Sequence, residues 1–125
     1  MARILVIDDS RLSRTRMNDA LTEAGHVVLE AVNGVQGLLA HSEHQPDCIF
    51  LDLLMPEMDG HEFLRQLRGG GSDTPVVVCT ADIQDSSRAI CEQLVISGFL
   101  NKPVKAHDLV ASVKTALNQL VKAVK

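Results

Sequence analysis

Five short apolar runs alternate with five longer stretches of helical periodicity, which predicts an α/β domain of (βα)5 type, a parallel sheet covered on both faces. A second observation concerns where the runs end. Ile4-Leu5-Val6-Ile7 ends on Asp8-Asp9, Cys48-Ile49-Phe50-Leu51 on Asp52, Val76-Val77-Val78-Cys79 on Thr80, and Phe99-Leu100-Asn101 on Lys102. In a parallel sheet these four polar outcrops meet at the carboxyl edge, where open α/β sheets bind ligands at the point of strand-order reversal. The chain has 125 residues, 46% of them hydrophobic, enough for one compact core and too few for two ordinary domains.

The first strand, Arg3 to Ile7, is apolar without alternation, as a central strand should be. Ser10 is placed to cap the first helix, whose buried stripe is Met17, Ala20, Leu21 and Ala24, and Gly25 ends it. The second strand, His26 to Glu30, has polar flanks and reads as an edge. Asn33 caps a helix expected to turn Val35, Leu38 and Leu39 to the sheet, closed by Gln45-Pro46. After the third strand, Asp59 with Glu62 three residues on resembles a capping box, ahead of an apolar face of Phe63, Leu64 and Leu67. Gly69-Gly70-Gly71-Ser72 reads as a flexible surface connection, because no Lys-Ser/Thr follows to make it a P-loop. Thr74-Pro75 introduces the fourth strand, and Asp85 or Ser86 is expected to cap a helix carrying Ala89, Ile90 and Leu94. The fifth helix, after Lys102-Pro103, places Ala106, Leu109, Val110, Val113, Leu117, Leu120 and Val121 at helical spacing, with Lys122 and Lys125 in its last turn.

Composition narrows the function. The net charge is -4 and the twelve Lys and Arg are scattered, so no basic stripe points to nucleic acid. Met1-Ala2-Arg3 runs into a four-residue apolar strand, too short for a signal-peptide core or a spanning helix, so a cytoplasmic protein without a membrane role is expected. Cys48, Cys79 and Cys91 are odd in number and lack C-x-x-C spacing, and read as small buried hydrophobes. His41 and His44 share a helix face but have no third ligand in view, so a metal site there is not expected. Arg11, Arg14 and Arg16 fall near the acidic outcrops, on a face that is either solvated or used for docking.

Asp8, Asp9 and Asp52 would bring three carboxylates together, and each like pair at about 4 Å repels by roughly 4 kcal/mol at an effective dielectric near 20. Such a site calls for a cation. An all-oxygen, partly hydrated set suits Mg2+ better than zinc, and Mg2+ on carboxylates commonly accompanies phosphoryl transfer. Lys102 offers a point charge for a phosphoryl oxygen and Thr80 a hydroxyl, while an aspartate accepting the group becomes an acyl phosphate.

Four segments, ILVIDDS (4–10), DLLMPEMDG (52–60), Thr80-Ala81 and SGFLNKP (97–103), stand in the right order and strand context to resemble the receiver domains of two-component response regulators, in the CheY-like single-domain form. The resemblance covers essentially the whole chain. It implies a flavodoxin-like, doubly wound five-stranded parallel sheet in the order 2-1-3-4-5, forming one receiver domain over 1–125 with no output domain. It implies that Asp52 is the phosphoacceptor, that Asp9 and Asp52 with the Leu54 backbone carbonyl bind Mg2+, and that Asp8 acts through metal-bound water. Lys102 would contact the phosphoryl group, and Thr80 and Phe99 would be the switch pair. The implied partners are a sensor histidine kinase or histidine phosphotransfer protein, and a downstream protein met through the face of the fourth helix, fifth strand and fifth helix. The chain would be a monomer or a phosphorylation-dependent dimer, and not a turnover enzyme.

Four residues depart from the family pattern. Val95-Ile96 stands where Gly-Ala is common, Val104 where Phe often follows Lys-Pro, and Phe99 replaces a frequent Tyr. Val95 and Ile96 either fill core space or form part of a contact patch. Other functions fit less well. An aspartyl phosphatase lacks an acid two residues after Asp52, where Leu54 stands; a constitutive binding module would not need the complete set of five polar side chains; and a nucleotide carrier lacks a phosphate loop after the first strand.

Overall fold

The computed structural model describes residues 1–82 and 84–124, with the side chains of the last helix described to residue 118. The elements run β1 (Arg3–Ile7), α1 (Arg11–Glu23), β2 (Val27–Ala31), α2 (Gly34–His44), β3 (Cys48–Leu51), α3 (Gly60–Gly69), β4 (Val76–Thr80), α4 (Asp85–Gln93), β5 (Gly98–Asn101) and α5 (Ala106–Val124). All strand pairs are parallel and the order is β2-β1-β3-β4-β5, the flavodoxin-like arrangement expected. β2 is indeed an edge, shifted one residue later than its polar flanks suggested, because His26 is spent on the turn: its N–H donates to the Leu21 carbonyl and its Nδ1 accepts from the Ala2 N–H.

Successive residues of a strand face opposite sides, so the central strands divide into two cores. Ile4, Val6, Phe50, Val77 and Cys79 pack beneath α1 and α5, against Met17, Leu21, Leu109, Val113 and Ala116. Leu5, Ile7, Ile49, Leu51, Val76 and Val78 pack beneath α2, α3 and α4, against Phe63, Leu64, Leu67 and Cys91. The three thiols are buried; burial pushes the Cys48 pKa up to about 12 and that of Cys91 up to about 11.

Three helix caps form as the sequence predicts. Ser10 accepts from the Ser13 N–H at 3.2 Å, Asn33 from Gln36 at 2.9 Å and Asp59 from Glu62 at 2.9 Å. The α3 box is one-sided, because the Glu62 carboxylate pairs with Arg65 and Gln66 instead. Four expectations about buried faces need correction. Ala24 and Ala106 are exposed, at the end of one helix and the start of another. In α2, Val35 and Leu39 are exposed, and the row against the sheet is Gly34, Gly37 and the half-buried Leu38. A Cβ on Gly37 would stand 2.6 Å from Ile7 Cδ1 and 3.0 Å from the Phe63 ring, so α2 sits too close for a side chain there. In α4 the N-cap is Gln84 without a side-chain bond, Ala89 is exposed, and Ser87 and Cys91 are the buried residues. Asp82, in the loop before the helix, accepts from the Gln84 N–H and the Ser87 hydroxyl and so ties that loop to the first turn. Leu120, Val121, Lys122 and Lys125 fall outside the described side chains.

The glycine-rich connection is a surface one, closed by side chains. His41 Nε2 lies 3.1 Å from both the Ser72 and Thr74 hydroxyls. Arg68 Nη1 donates to the Ser72 and Thr74 carbonyls at 3.2 and 2.8 Å, while its Nε and Nη2 donate to the Leu94 and Val95 carbonyls at 2.9 and 2.8 Å. Val95 itself is 72% exposed at φ +59°, a left-handed conformation that explains why glycine suits this position, whereas Ile96 is half-buried against the α2–α4 core.

Two glycines and this valine generate stability predictions, to be read by urea unfolding. A Cβ on Gly60 would stand 2.6 Å from the Asp52 carbonyl and 2.7 Å from Leu53 Cα, so Gly60→Ala should cost roughly 1–3 kcal/mol or more. Gly69 has open space, and Gly69→Ala should gain roughly 0.4–1 kcal/mol. The left-handed conformation costs a non-glycine residue roughly 1–2 kcal/mol and glycine's freedom costs roughly 0.5–1 kcal/mol, so Val95→Gly should stabilise by up to about 1.5 kcal/mol. A lower midpoint for Val95→Gly than for the parent would mean that the turn carries no such strain.

Candidate functional site: an acidic pocket at the carboxyl edge of the sheet

The pocket is built by strand register. Ile7 and Leu51 are partners in the β1–β3 pair, so the next residues, Asp8 and Asp52, emerge side by side. Backbone bonds continue past the strands: the Asp52 N–H donates to the Ile7 carbonyl at 3.0 Å and the Asp8 N–H to the Ala31 carbonyl at 3.1 Å. On the other side Thr80 is paired with Asn101, and the Lys102 N–H donates to the Thr80 carbonyl at 2.8 Å. Two chain segments far apart in sequence thereby deliver an ammonium to two acids.

Lys102 Nζ donates to Asp8 Oδ2 at 2.6 Å and to Asp52 Oδ2 at 2.9 Å. The remaining oxygens take backbone donors, Asp8 Oδ1 from the Ser10 N–H at 2.9 Å and Asp52 Oδ1 from the Leu54 N–H at 3.2 Å. Asp8 is fully buried, Asp52 is 6% exposed and Asp9 is exposed. One carboxylate oxygen from each of the three lies within 4.8 Å of the others. Burial pulls the Lys102 pKa down, but the hydrogen bonds and charges of Asp8 and Asp52 outweigh it and hold the pKa above its ordinary value.

Against three carboxylates this single ammonium leaves two negative charges uncompensated. The donors are all oxygen, and the outermost acid faces water, as a hard, partly hydrated divalent cation requires. The residues present therefore fit such an ion. His41 and His44 do not form a second cluster among the described residues: His41 is engaged with Ser72 and Thr74, and His44 lies 3.7 Å from Glu43.

Thr80 is fully buried, and its Oγ1 accepts from the Asp82 N–H at 3.1 Å. Phe99 pairs with Val78, two residues before Thr80, so the ring and the hydroxyl occupy the same sheet face on adjacent strands. The ring is half-buried and lies under the Arg88 guanidinium, 5.3 Å from the centroid. Leu54, two residues after Asp52, is 55% exposed.

The sequence reading missed several supporting groups. Ser10 serves twice, capping α1 and donating its N–H to Asp8. Asp82 joins Thr80 to Ser87, for which the only local cue is the Asp two residues after the strand-end threonine. Arg14 is not on a solvated face like Arg11 and Arg16; its side chain is 14% exposed and bonded to the Asp8 carbonyl. No sequence signal distinguishes it from its neighbours.

A twisted parallel sheet ending in this acid–lysine–threonine pocket defines a class of signalling receivers, and the chain belongs to the response regulator receiver domain family, whose model matches residues 4–114. Response regulator MprA of Mycobacterium tuberculosis strain H37Rv is 37% identical over 117 residues, covering 94% of this chain and 51% of that protein. The chain thus spans about half the length of such curated relatives. Chemotaxis protein CheY of Bacillus subtilis is 33% identical over 117 residues, covering 93% of this chain and 98% of that protein. Among solved structures, Vibrio cholerae chemotaxis protein CheY4 superposes with a TM-score of 0.88 at 28% identity, covering 94% of this chain and 99% of that one. No helix among the described residues is long and apolar enough to cross a membrane.

The ammonium bridge carries a pH dependence. Folding raises the Lys102 pKa above 10.5, so its contribution is complete below that pH and is lost as pH rises through the higher folded value. The stability advantage of the parent over Lys102→Met, followed by urea unfolding, should therefore be flat from neutral pH and shrink only above pH 10.5. A constant difference across the alkaline range would show that the bridge contributes nothing to folding.

Proposed function

We propose that this chain is a phosphorylation-switched receiver in which Asp52 accepts a phosphoryl group from the phosphohistidine of a sensor kinase or histidine phosphotransfer protein. The observation supporting this best is Lys102 bridging Asp8 and Asp52, because it gathers the acceptor, a metal-binding acid and a phosphoryl-binding cation at one point. In the transfer a carboxylate oxygen of Asp52 forms the new P–O bond as the P–N bond breaks. The imidazole keeps the electron pair and takes up a proton. The product is an aspartyl phosphate, a covalent intermediate of the kind carboxylate nucleophiles form.

The side chains around Asp52 have matching roles. Asp9 and Asp52, with the Leu54 backbone carbonyl, would hold Mg2+, and Asp8 would reach it through water. Bound there, the ion supplies neutralisation of the charge spread over the phosphoryl oxygens. Lys102 passes from the Asp52 carboxylate to a phosphoryl oxygen. The Thr80 hydroxyl accepts from Asp82, which leaves its own proton for a second phosphoryl oxygen, and its movement opens space on the sheet face shared with Phe99. The state is then read by protein contact on the face of α4, β5 and α5. Val95 projects at the start of that face. Leu54 offers no acid to protonate a leaving group, which favours a switch over a phosphatase that turns over added monoesters.

Incubation with acetyl phosphate and Mg2+ should add one base-labile phosphoryl group to the parent and, within detection, none to Asp52→Asn; equal labelling of the two by mass spectrometry would displace Asp52 as acceptor. Thr80→Ala should be labelled like the parent, yet amide hydrogen exchange in α4 and β5 should no longer respond to the label. A response equal to the parent's would remove Thr80 from the switch.

A further inference from the structure

One nearly buried charge beside the pocket has no part in the chemistry above. Arg14, in the first turns of α1, donates through Nη1 to the Asp8 backbone carbonyl at 2.8 Å and through Nε to Glu30 Oε1 on edge strand β2 at 3.0 Å. Glu30 is fixed in turn: its Oε2 accepts from Asn18 Nδ2 at 2.9 Å, and Asn18 Oδ1 accepts from the Thr22 hydroxyl at 2.9 Å. The planar guanidinium is thus oriented by one carboxylate and presents a further N–H to one carbonyl, the one between the two acids. Such two-point engagement suits the rigid donor fork of arginine.

The Asp8 carbonyl lies in the same rigid plane as the Asp9 N–H. Asp8 is held through its own N–H by the Ala31 carbonyl, an extension of the β1–β2 ladder. Asp9 stands beyond the strand and is exposed, so the tilt of the Asp8–Asp9 peptide sets where its carboxylate falls. We propose that Arg14, oriented by Glu30, is a positioning residue for the metal site: by fixing this peptide it brings the Asp9 carboxylate to within 4.8 Å of Asp8 and Asp52. This rests on the reading of the three acids as a Mg2+ site.

Charge and positioning predict opposite results, which makes the proposal testable. If Arg14 acted only as a nearby positive charge, removing it would strengthen binding of a cation to the acids. If it positions Asp9, removing it weakens binding, by about tenfold if it behaves like other groups that orient metal ligands. The experiment is calorimetric titration of Mg2+ into the unphosphorylated full chain for the parent, Arg14→Met, Glu30→Gln and Glu30→Ala, with urea unfolding in chelator to verify that each is folded. Arg14→Met should bind Mg2+ more weakly than the parent. Glu30→Gln, which keeps an acceptor for Arg14, should bind more tightly than Glu30→Ala, although both lose the same charge; this pair decides the matter if Arg14→Met does not fold. Unchanged or tighter binding by folded Arg14→Met, or equal affinities for the two Glu30 variants, overturns the proposal even if stability falls. No Mg2+ binding by the parent overturns the metal reading itself, and the proposal with it.

Discussion

Everything at the carboxyl edge of this sheet depends on holding like charges together. Asp8 and Asp52 are withdrawn from water, and the energy of doing so is met by one ammonium and two backbone amides, each carboxylate taking one of each. Removing one member of such a buried set costs more than the pair contributes, because it strands the other. The bridge spans the chain from its first strand to its last, so the electrostatics of the pocket and the closure of the sheet are one constraint.

Glycine placement gives the pocket its floor. α3 begins at Gly60, pressed against the Asp52 carbonyl and Leu53, and α2 meets Ile7 of the sheet through Gly37 and Met58 through Gly34. These close approaches hold the start of α3 against the residues that follow β3, Asp52 among them. They also move bulk elsewhere: Met58 fills the space over Gly34, and Val35 and Leu39 of α2 turn outward.

The same features show how much was legible in the sequence. The strands and the convergence of Asp8, Asp9, Asp52, Thr80 and Lys102 followed from apolar runs that stop on polar residues, since a parallel register leaves those residues nowhere else to go, whereas the strand order came with the resemblance to receiver domains. Caps at Ser10, Asn33 and Asp59 followed from local chemistry. The face of α2 did not, because hydrophobic periodicity assumes that the largest apolar residues point inward, whereas this interface selects for the absence of a side chain. Nor did the start of α4, where Asp82 in the preceding loop takes the Ser87 hydroxyl, or the engagement of Arg14 with a carbonyl six residues earlier and a carboxylate sixteen later. Those contacts depend on three-dimensional placement that spacing alone does not encode.

Arg68 has a mechanical consequence. One guanidinium ties the connection entering β4 to the Leu94 and Val95 carbonyls just after α4 through four hydrogen bonds, all on the edge of the sheet opposite the acids. α4 is therefore pinned at its tail, while its head is joined to the pocket through Asp82 and Thr80. A displacement of α4 that kept the four bonds would pivot about its tail, so its nine residues form a lever arm with the fulcrum at the edge of the sheet away from the acids.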